Sequence, residues 1–225
     1  MQRILVLNAK GGCGKTTVAT NLAGYYAHRG MVTALMDYDP QGSSMRWLGL
    51  RPAERPDVVG IAAYQRRQGV TRAFQLQLPA NVQRVIIDAP SGVAGIQLIE
   101  YAQMADTLVL PVLPSPIDIH AAAHFIQDLL LVAKIRSRGI RLGIVANRVR
   151  EHTLVFRDLE RFLHTLGFPL VTRLRDSQNH MRAAEQGLGV HELHGRRADP
   201  DRERWGKLTD WLDAEPAVQD AGRQA

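Results

Sequence analysis

Two lysines stand five residues apart in a glycine-rich run, Lys10-Gly11-Gly12-Cys13-Gly14-Lys15-Thr16-Thr17. The chain otherwise avoids lysine: of 28 basic residues only Lys10, Lys15, Lys134 and Lys207 are lysine, and the rest are arginine. An ammonium on a thin stem fits a tight anion cradle that a broad guanidinium fork does not. Gly11, Gly12 and Gly14 let the backbone curl close to an anion without Cβ clashes. A phosphate bound there meets backbone N–H groups and the positive end of the helix that Thr16 opens. In that setting Lys15 reaches the β- and γ-phosphates of a nucleotide, and the Thr16 hydroxyl ligates Mg²⁺. Ala9 stands where the strict G-x-x-x-x-G-K-[ST] pattern asks for glycine. The bland alternative is a glycine-rich turn with no ligand.

Three carboxylates lie at the ends of apolar runs: Asp37, Asp39 and Asp88. Asp88 closes Val85-Ile86-Ile87, a costly place for a charge unless a cation compensates it. Asp37 and Asp39 have a structural alternative, capping a helix that starts near Ser43-Ser44. Asn147 follows another apolar run. Its amide could pair with an adenine edge or serve only as a turn residue. His120 and His124 stand four apart with no third ligand near, which favours packing over a metal site.

The elements that would position these groups alternate. The expected strands are Arg3–Leu7, Val32–Met36, Arg84–Ile87, Thr107–Val112, Arg141–Ala146 and Leu170–Thr172. Helix candidates lie at Thr16–His28, Gly95–Gln103, Ile117–Arg136, Thr153–Leu166, His180–Gln186 and Arg202–Leu212, with Gly30, Gly139 and Gly167 at capping positions. Nearly continuous apolar strands buried on both faces and joined by helices imply a doubly wound, mostly parallel α/β sheet with helices on both faces. Ligands in such sheets bind at the carboxyl ends of the strands, where all the groups above fall. Residues 49–81, broken by Pro52, Pro56 and Pro79, give no clear pattern. The expectation is one domain over residues 1–213 and a polar tail over 214–225.

The 225-residue chain carries a net charge of +6, unevenly placed. Residues 134–207 hold 16 basic and 9 acidic side chains, a hint of a polyanionic partner as well as a plain solvated surface. With Cys13 as the single cysteine, no internal disulfide forms and the expected compartment is the cytoplasm. No apolar stretch approaches the roughly 18 residues of a membrane span. Trp205, Leu208, Trp211 and Leu212 form a helical stripe. The neighbouring Asp201, Glu203, Asp210 and Asp213 would repel anionic lipid, so core packing is the expected use.

The glycine-rich run resembles the deviant Walker A loop of the ParA/MinD family, with Lys10 as the family's second, signature lysine. Asp37-Tyr38-Asp39-Pro40-Gln41 is similar to the second loop of the partition ATPases, and Val85-Ile86-Ile87-Asp88-Ala89-Pro90 to the family's Walker B strand and switch. Leu110-Pro111-Val112-Leu113-Pro114-Ser115-Pro116 and Asn147-Arg148 also sit where the family has such residues. The likeness runs from about Met1 to Val190 and is nearest to short, ParF-type members. Cys13 and Ser91 depart from the common pattern. The resemblance implies an ATP hydrolase using ATP and Mg²⁺, with Lys10 to Thr17 and Asn147 at the nucleotide. Asp88 and Thr16 would be at the metal, Asp37 in its outer shell, and Asp39 would orient the attacking water. Lys10 would cross a homodimer interface to the partner's nucleotide. It also implies non-specific binding of double-stranded nucleoid DNA by the ATP-bound dimer, with Arg148, Arg150, Arg173, Arg175, Arg196 and Arg197 as candidates. A ParB-like cargo adaptor would stimulate hydrolysis. The alternative is a MinD-like membrane-cycling regulator. A cluster-binding relative of the nitrogenase iron protein would need cysteines that this chain lacks.

Overall fold

The computed structural model describes residues 1–66, 68–150, 160–161 and 167–215. Among these, the apolar runs become strands β1 (Gln2–Val6), β2 (Thr33–Asp37), β3 (Val58–Ala62), β4 (Arg84–Asp88), β5 (Thr107–Val112), β6 (Arg141–Val149) and β7 (Leu170–Arg175). They pair in one sheet of order β3-β2-β4-β1-β5-β6-β7, every pair parallel. The expected α/β architecture is therefore present, and the described strands are wholly parallel.

Period-two alternation sends each strand's side chains to two cores. On β1, Leu5 faces the same side as Leu98, Phe125 and Ile126, whereas Ile4 and Val6 face the side of Val18, Leu22 and Trp205. The first side is covered by α4 (Gly95–Gln103) and α5 (Pro116–Leu131). The second is covered by α1 (Lys15–His28) and α7 (Asp199–Asp213). Trp205, Leu208 and Leu212 are buried there, and Gly143 leaves room for the Trp211 ring, 2.6 Å from where a Cβ would stand. The C-terminal apolar stripe is core, as its acidic neighbours suggested.

Differences from the expected elements have local causes. The α5 pattern continues apolar through Ala133 and Ile135, both buried, yet the helix stops at Leu131. Lys134 takes φ 52°, and Ile135 and Ile140 close a turn instead, with Gly139 at φ 68°. Periodicity does not register a single left-handed residue. The illegible stretch 49–81 contributes β3, the edge strand beside β2, and the short α3 (Arg72–Gln75); α2 (Ser43–Gly49) precedes it. Beyond β7 comes α6 (Gln178–Glu185). Most of the expected helix 153–166 and of the tail lies outside the described residues.

Candidate functional site

Parallel register lines up the chemistry. Val6 pairs with Asp88 across β1 and β4, and Asp37 pairs with Asp88 across β2 and β4. The glycine-rich loop leaves β1 at this same edge. Its base is braced by Asn8, whose amide donates to the Pro111 carbonyl at 2.7 Å and whose Oδ1 accepts the Lys10 N–H at 2.9 Å. From the β4 side, the Gly92 N–H donates to the Ala9 carbonyl at 2.7 Å.

The loop ends in an uncapped helix. Gly14 is the N-cap of α1 with φ 96°, no side chain caps the helix, and its first turn holds no acidic residue. Those free amides and the helix dipole form a ready anion site. Lys15 is buried, and its ammonium donates to the Lys10 carbonyl at 3.2 Å. Cys13 is buried under the loop, its thiol donating to the same carbonyl and its pKa raised by burial. Gly11 and Gly12 are exposed at the loop's crest, while Thr16 and Thr17 are half-buried in the first turn of α1.

The two strand-end carboxylates differ. Asp37 is fully buried and spends both oxygens on backbone: Oδ1 accepts from Asp39 N–H at 3.0 Å and Oδ2 from Met45 N–H at 3.2 Å. It ties the loop to the start of α2, the capping alternative noted in the sequence. Burial raises its pKa, with these amides opposing. Asp88 accepts one hydrogen bond, from Ser44 Oγ at 2.6 Å, and its buried Oδ1 has no partner. Burial pushes the Asp88 pKa up to about 6; Asp37 adds to the rise, while Ser44, Thr16 and Lys15 oppose it. An orphaned carboxylate oxygen beside the Thr16 hydroxyl fits a hard cation. Among the described residues no three His, Cys, Asp or Glu cluster as a metal site. Magnesium there would take its remaining ligands from water and phosphate, as it ordinarily does. Asp39 is half-buried, with Oδ1 accepting the Gln41 N–H at 2.9 Å.

Asn147 lies against the loop's far side. Its Nδ2 donates to the Cys13 carbonyl at 2.8 Å, and its Oδ1 accepts the Arg148 N–H at 3.0 Å. A Cβ on Gly14 would stand 2.1 Å from that amide nitrogen, so glycine is required there by contact as well as by φ. Asn147 is thus a brace of the phosphate loop in this arrangement.

Lys10 takes a different partner from Lys15. Its side chain is 36% exposed and forms an ion pair with Asp118 Oδ1 at 2.9 Å, at the start of α5. Sequence reasoning missed Asn8, Ser44 and Asp118. The visible signals were Ser43-Ser44 after Asp39-Pro40-Gln41-Gly42, and the cap pattern Ser115-Pro116-Ile117-Asp118.

The arginine candidates gather elsewhere, at the β6–β7 edge. Arg150 pairs with Asp176 at 3.0 Å, Arg173 with Glu160, and Arg175 with Asp201 at 3.7 Å. Arg148 is exposed at the end of β6, and Arg196 and Arg197 are exposed on the 3₁₀ turn before α7. The Arg197 carbonyl accepts from Asn179, which also donates to Asp201, so this turn adjoins the β7 end.

A family profile described as the CobQ/CobB/MinD/ParA nucleotide binding domain matches residues 4–190. "Maintenance of carboxysome distribution protein A" of Halothiobacillus neapolitanus is 29% identical over 86% of this chain and 88% of its own length. "Chromosome-partitioning ATPase Soj" of Thermus thermophilus is 30% identical over 71% and 74%. Among solved structures, an ATP complex of a Cyanothece McdA variant superposes with a TM-score of 0.71 at 17% identity, over 97% of this chain and 99% of the other. That likeness shows the fold.

Proposed function

The chain belongs to the CobQ/CobB/MinD/ParA family of nucleotide-binding ATPases, and on that premise we propose that it is a ParA-type positioning ATPase switched by dimerisation. ATP binds with its phosphates on the uncapped N-terminus of α1, and Lys15 offsets the charge on the β- and γ-phosphates. Thr16 and Asp88 would hold magnesium, with Asp37 fixing the loop beside them, and the ion would neutralise charge that develops on the phosphates. Asp39, at the half-buried mouth, orients the attacking water. Asn147 keeps the loop in shape, and with both ends of its amide already bonded it is not free to pair with an adenine edge in this arrangement.

The observation that carries this reading is the different partner and exposure of the two loop lysines. Lys15 is buried and bonded to its own loop, whereas Lys10 is 36% exposed and paired with Asp118 at the start of α5. One lysine serves the pocket and the other is placed to meet a second copy of the chain. ATP then acts as the bond between two faces. The dimer doubles the basic β6–β7 edge and holds arbitrary duplex DNA through phosphate contacts. An adaptor couples it to a cargo, a protein assembly or a DNA molecule, the two kinds named for its relatives. The compartment is the cytoplasm, at the nucleoid.

A membrane-cycling role draws no support from the C-terminal stripe. The C-terminal stripe is spent on the core, and no described helix is long and apolar enough to cross a membrane. The test compares Lys10→Ala with the unaltered protein. ATP affinity per protomer, by calorimetry, should stay within a few-fold, while ATP-dependent dimerisation and DNA retention fail. Loss of ATP binding in Lys10→Ala would mean that both lysines serve one pocket and would overturn the cross-interface role.

A further inference from the structure

We propose that Ser44 is a positioning residue for the metal site: its hydroxyl fixes one oxygen of Asp88 and leaves the other set to meet magnesium. The proposal rests on the reading of Asp88 as a magnesium-holding group and assigns the residue that sets its geometry.

The backbone of Asp88 is fixed from both sides. Its carbonyl accepts the Tyr38 N–H at 3.0 Å, the Ala89 N–H donates to the Val6 carbonyl at 3.2 Å, and β4 lies between β1 and β2. Only the carboxylate can still turn. Ser44 Oγ donates to Asp88 Oδ2 at 2.6 Å, and both residues are buried. A carboxylate held by one oxygen presents the other in a restricted direction. That other oxygen, Oδ1, is the one without a partner, and the Thr16 hydroxyl lies beside the same carboxylate.

Ser44 is itself held by the protein body. It stands in the first turn of α2, where the next residue, Met45, donates its N–H to Asp37 Oδ2 at 3.2 Å. Further along the helix the Trp47 indole donates to the Leu188 carbonyl at 3.2 Å. Just beyond it Arg51 forms a two-point pair with the buried Glu192, at 2.8 and 3.0 Å. The support behind Asp88 is therefore stiff. The same first turn reaches the water-orienting loop, because Asp37 Oδ1 accepts the Asp39 N–H at 3.0 Å. One turn of helix thus sets the metal carboxylate and Asp39 relative to each other.

Satisfying a buried carboxylate does not account for the pair. A site built only for that purpose would meet both oxygens, as happens at Asp37. At Asp88 one oxygen is met and the other is left open. Carboxylates that bind metals are ordinarily held by such a second hydrogen bond, and removing its donor lowers metal affinity or activity by about ten- to a hundredfold.

The experiment reads magnesium binding as well as turnover. ATP binding to the full chain is followed by calorimetry, first in excess chelator and then across a magnesium titration. Ser44→Ala should leave magnesium-free ATP affinity within a few-fold. It should raise the magnesium concentration for half-maximal response by about ten- to a hundredfold, and hydrolysis should recover as magnesium is raised. In an Asp88→Asn background the substitution should add no further shift, because the oxygen it fixes no longer serves the ion. If Ser44→Ala folds poorly, Ser44→Cys, with its weaker donor, should shift the magnesium response in the same direction. A folded variant whose magnesium response is unaltered, while Asp88→Asn loses that response, would overturn the proposal. Loss of magnesium-free ATP binding, or an equal shift in both backgrounds, would overturn it too. Asp88→Asn with an unaltered magnesium response would instead remove Asp88 from the metal site, and the role of Ser44 with it.

Discussion

The carboxylate end of β2 and β4 and the arginine edge of β6 and β7 are both charged, and they treat charge in opposite ways. At the first, Asp88 is buried with one oxygen unpartnered, and α1 begins without a cap. At the second, Arg150, Arg173 and Arg175 are at least partly exposed, and each already has a carboxylate partner. Burying an unpaired charge costs several kcal/mol, whereas an exposed ion pair contributes about 0–1 kcal/mol. An unmet demand in the interior therefore points to a ligand far more strongly than a surplus of surface charge. Within the first region, the neighbours Asp37 and Asp88 repeat the contrast, one satisfied by backbone amides and the other not.

The largest effect should come from Lys15→Ala, which leaves the phosphates without their buried counter-charge. ATP affinity by calorimetry should fall by about thirtyfold or more, since truncating one partner of a buried charged contact costs about 2–5 kcal/mol. Retained affinity would erase the distinction between the two regions.

Next come the paired carboxylates. A pKa raised from 3.8 to about 6 means that burying ionised Asp88 costs the nucleotide-free protein about 3 kcal/mol at neutral pH. The sign follows from the folded-state pKa lying above the unfolded one. Stability is fully present below pH 3.8 and is lost as pH rises through about 6. Asp88→Asn should therefore stabilise the nucleotide-free protein by up to about 3 kcal/mol near pH 7.5, with the gain vanishing toward pH 4, while Mg-dependent hydrolysis is lost. Asp37→Ala should do the reverse to stability, lowering it by about 1–3 kcal/mol because two backbone amides lose their acceptor. Urea unfolding at the two pH values reads both variants.

The ease of reading the chain followed the same physics. The glycine loop, Asp88 and the central strands were legible because a phosphate cradle and a doubly buried strand each demand few residue types. Asp37 was ambiguous because capping and metal contact ask for the same carboxylate, and only the positions of the Asp39 and Met45 amides decide its contacts. The edge strand β3 was hidden because Val58-Val59-Gly60-Ile61-Ala62 is short, interrupted by glycine and preceded by Pro52 and Pro56. Asp118 was missed because its ion-pair partner, Lys10, lies more than a hundred residues away.

The smallest effects belong to the arginine edge. If DNA lies there, Arg196→Ala and Arg197→Ala should each lower the salt slope of log affinity by about one, without sequence preference. Arg150→Ala should lower it less, because Asp176 already occupies that guanidinium. Its stability should change by no more than about 0.5 kcal/mol. Equal slopes for paired and unpaired arginines would show that the ion pairs open freely on DNA.

The ATP-switched dimer is tested most directly by sedimentation velocity of Asp39→Ala with Mg-ATP. If Asp39 orients the water as proposed, removing it while leaving Lys10, Lys15 and Asp88 in place should give a persistent dimer that does not hydrolyse its nucleotide. With ADP the same variant should sediment as a monomer. A monomer in ATP that turns over at the normal rate would contradict the account at its centre.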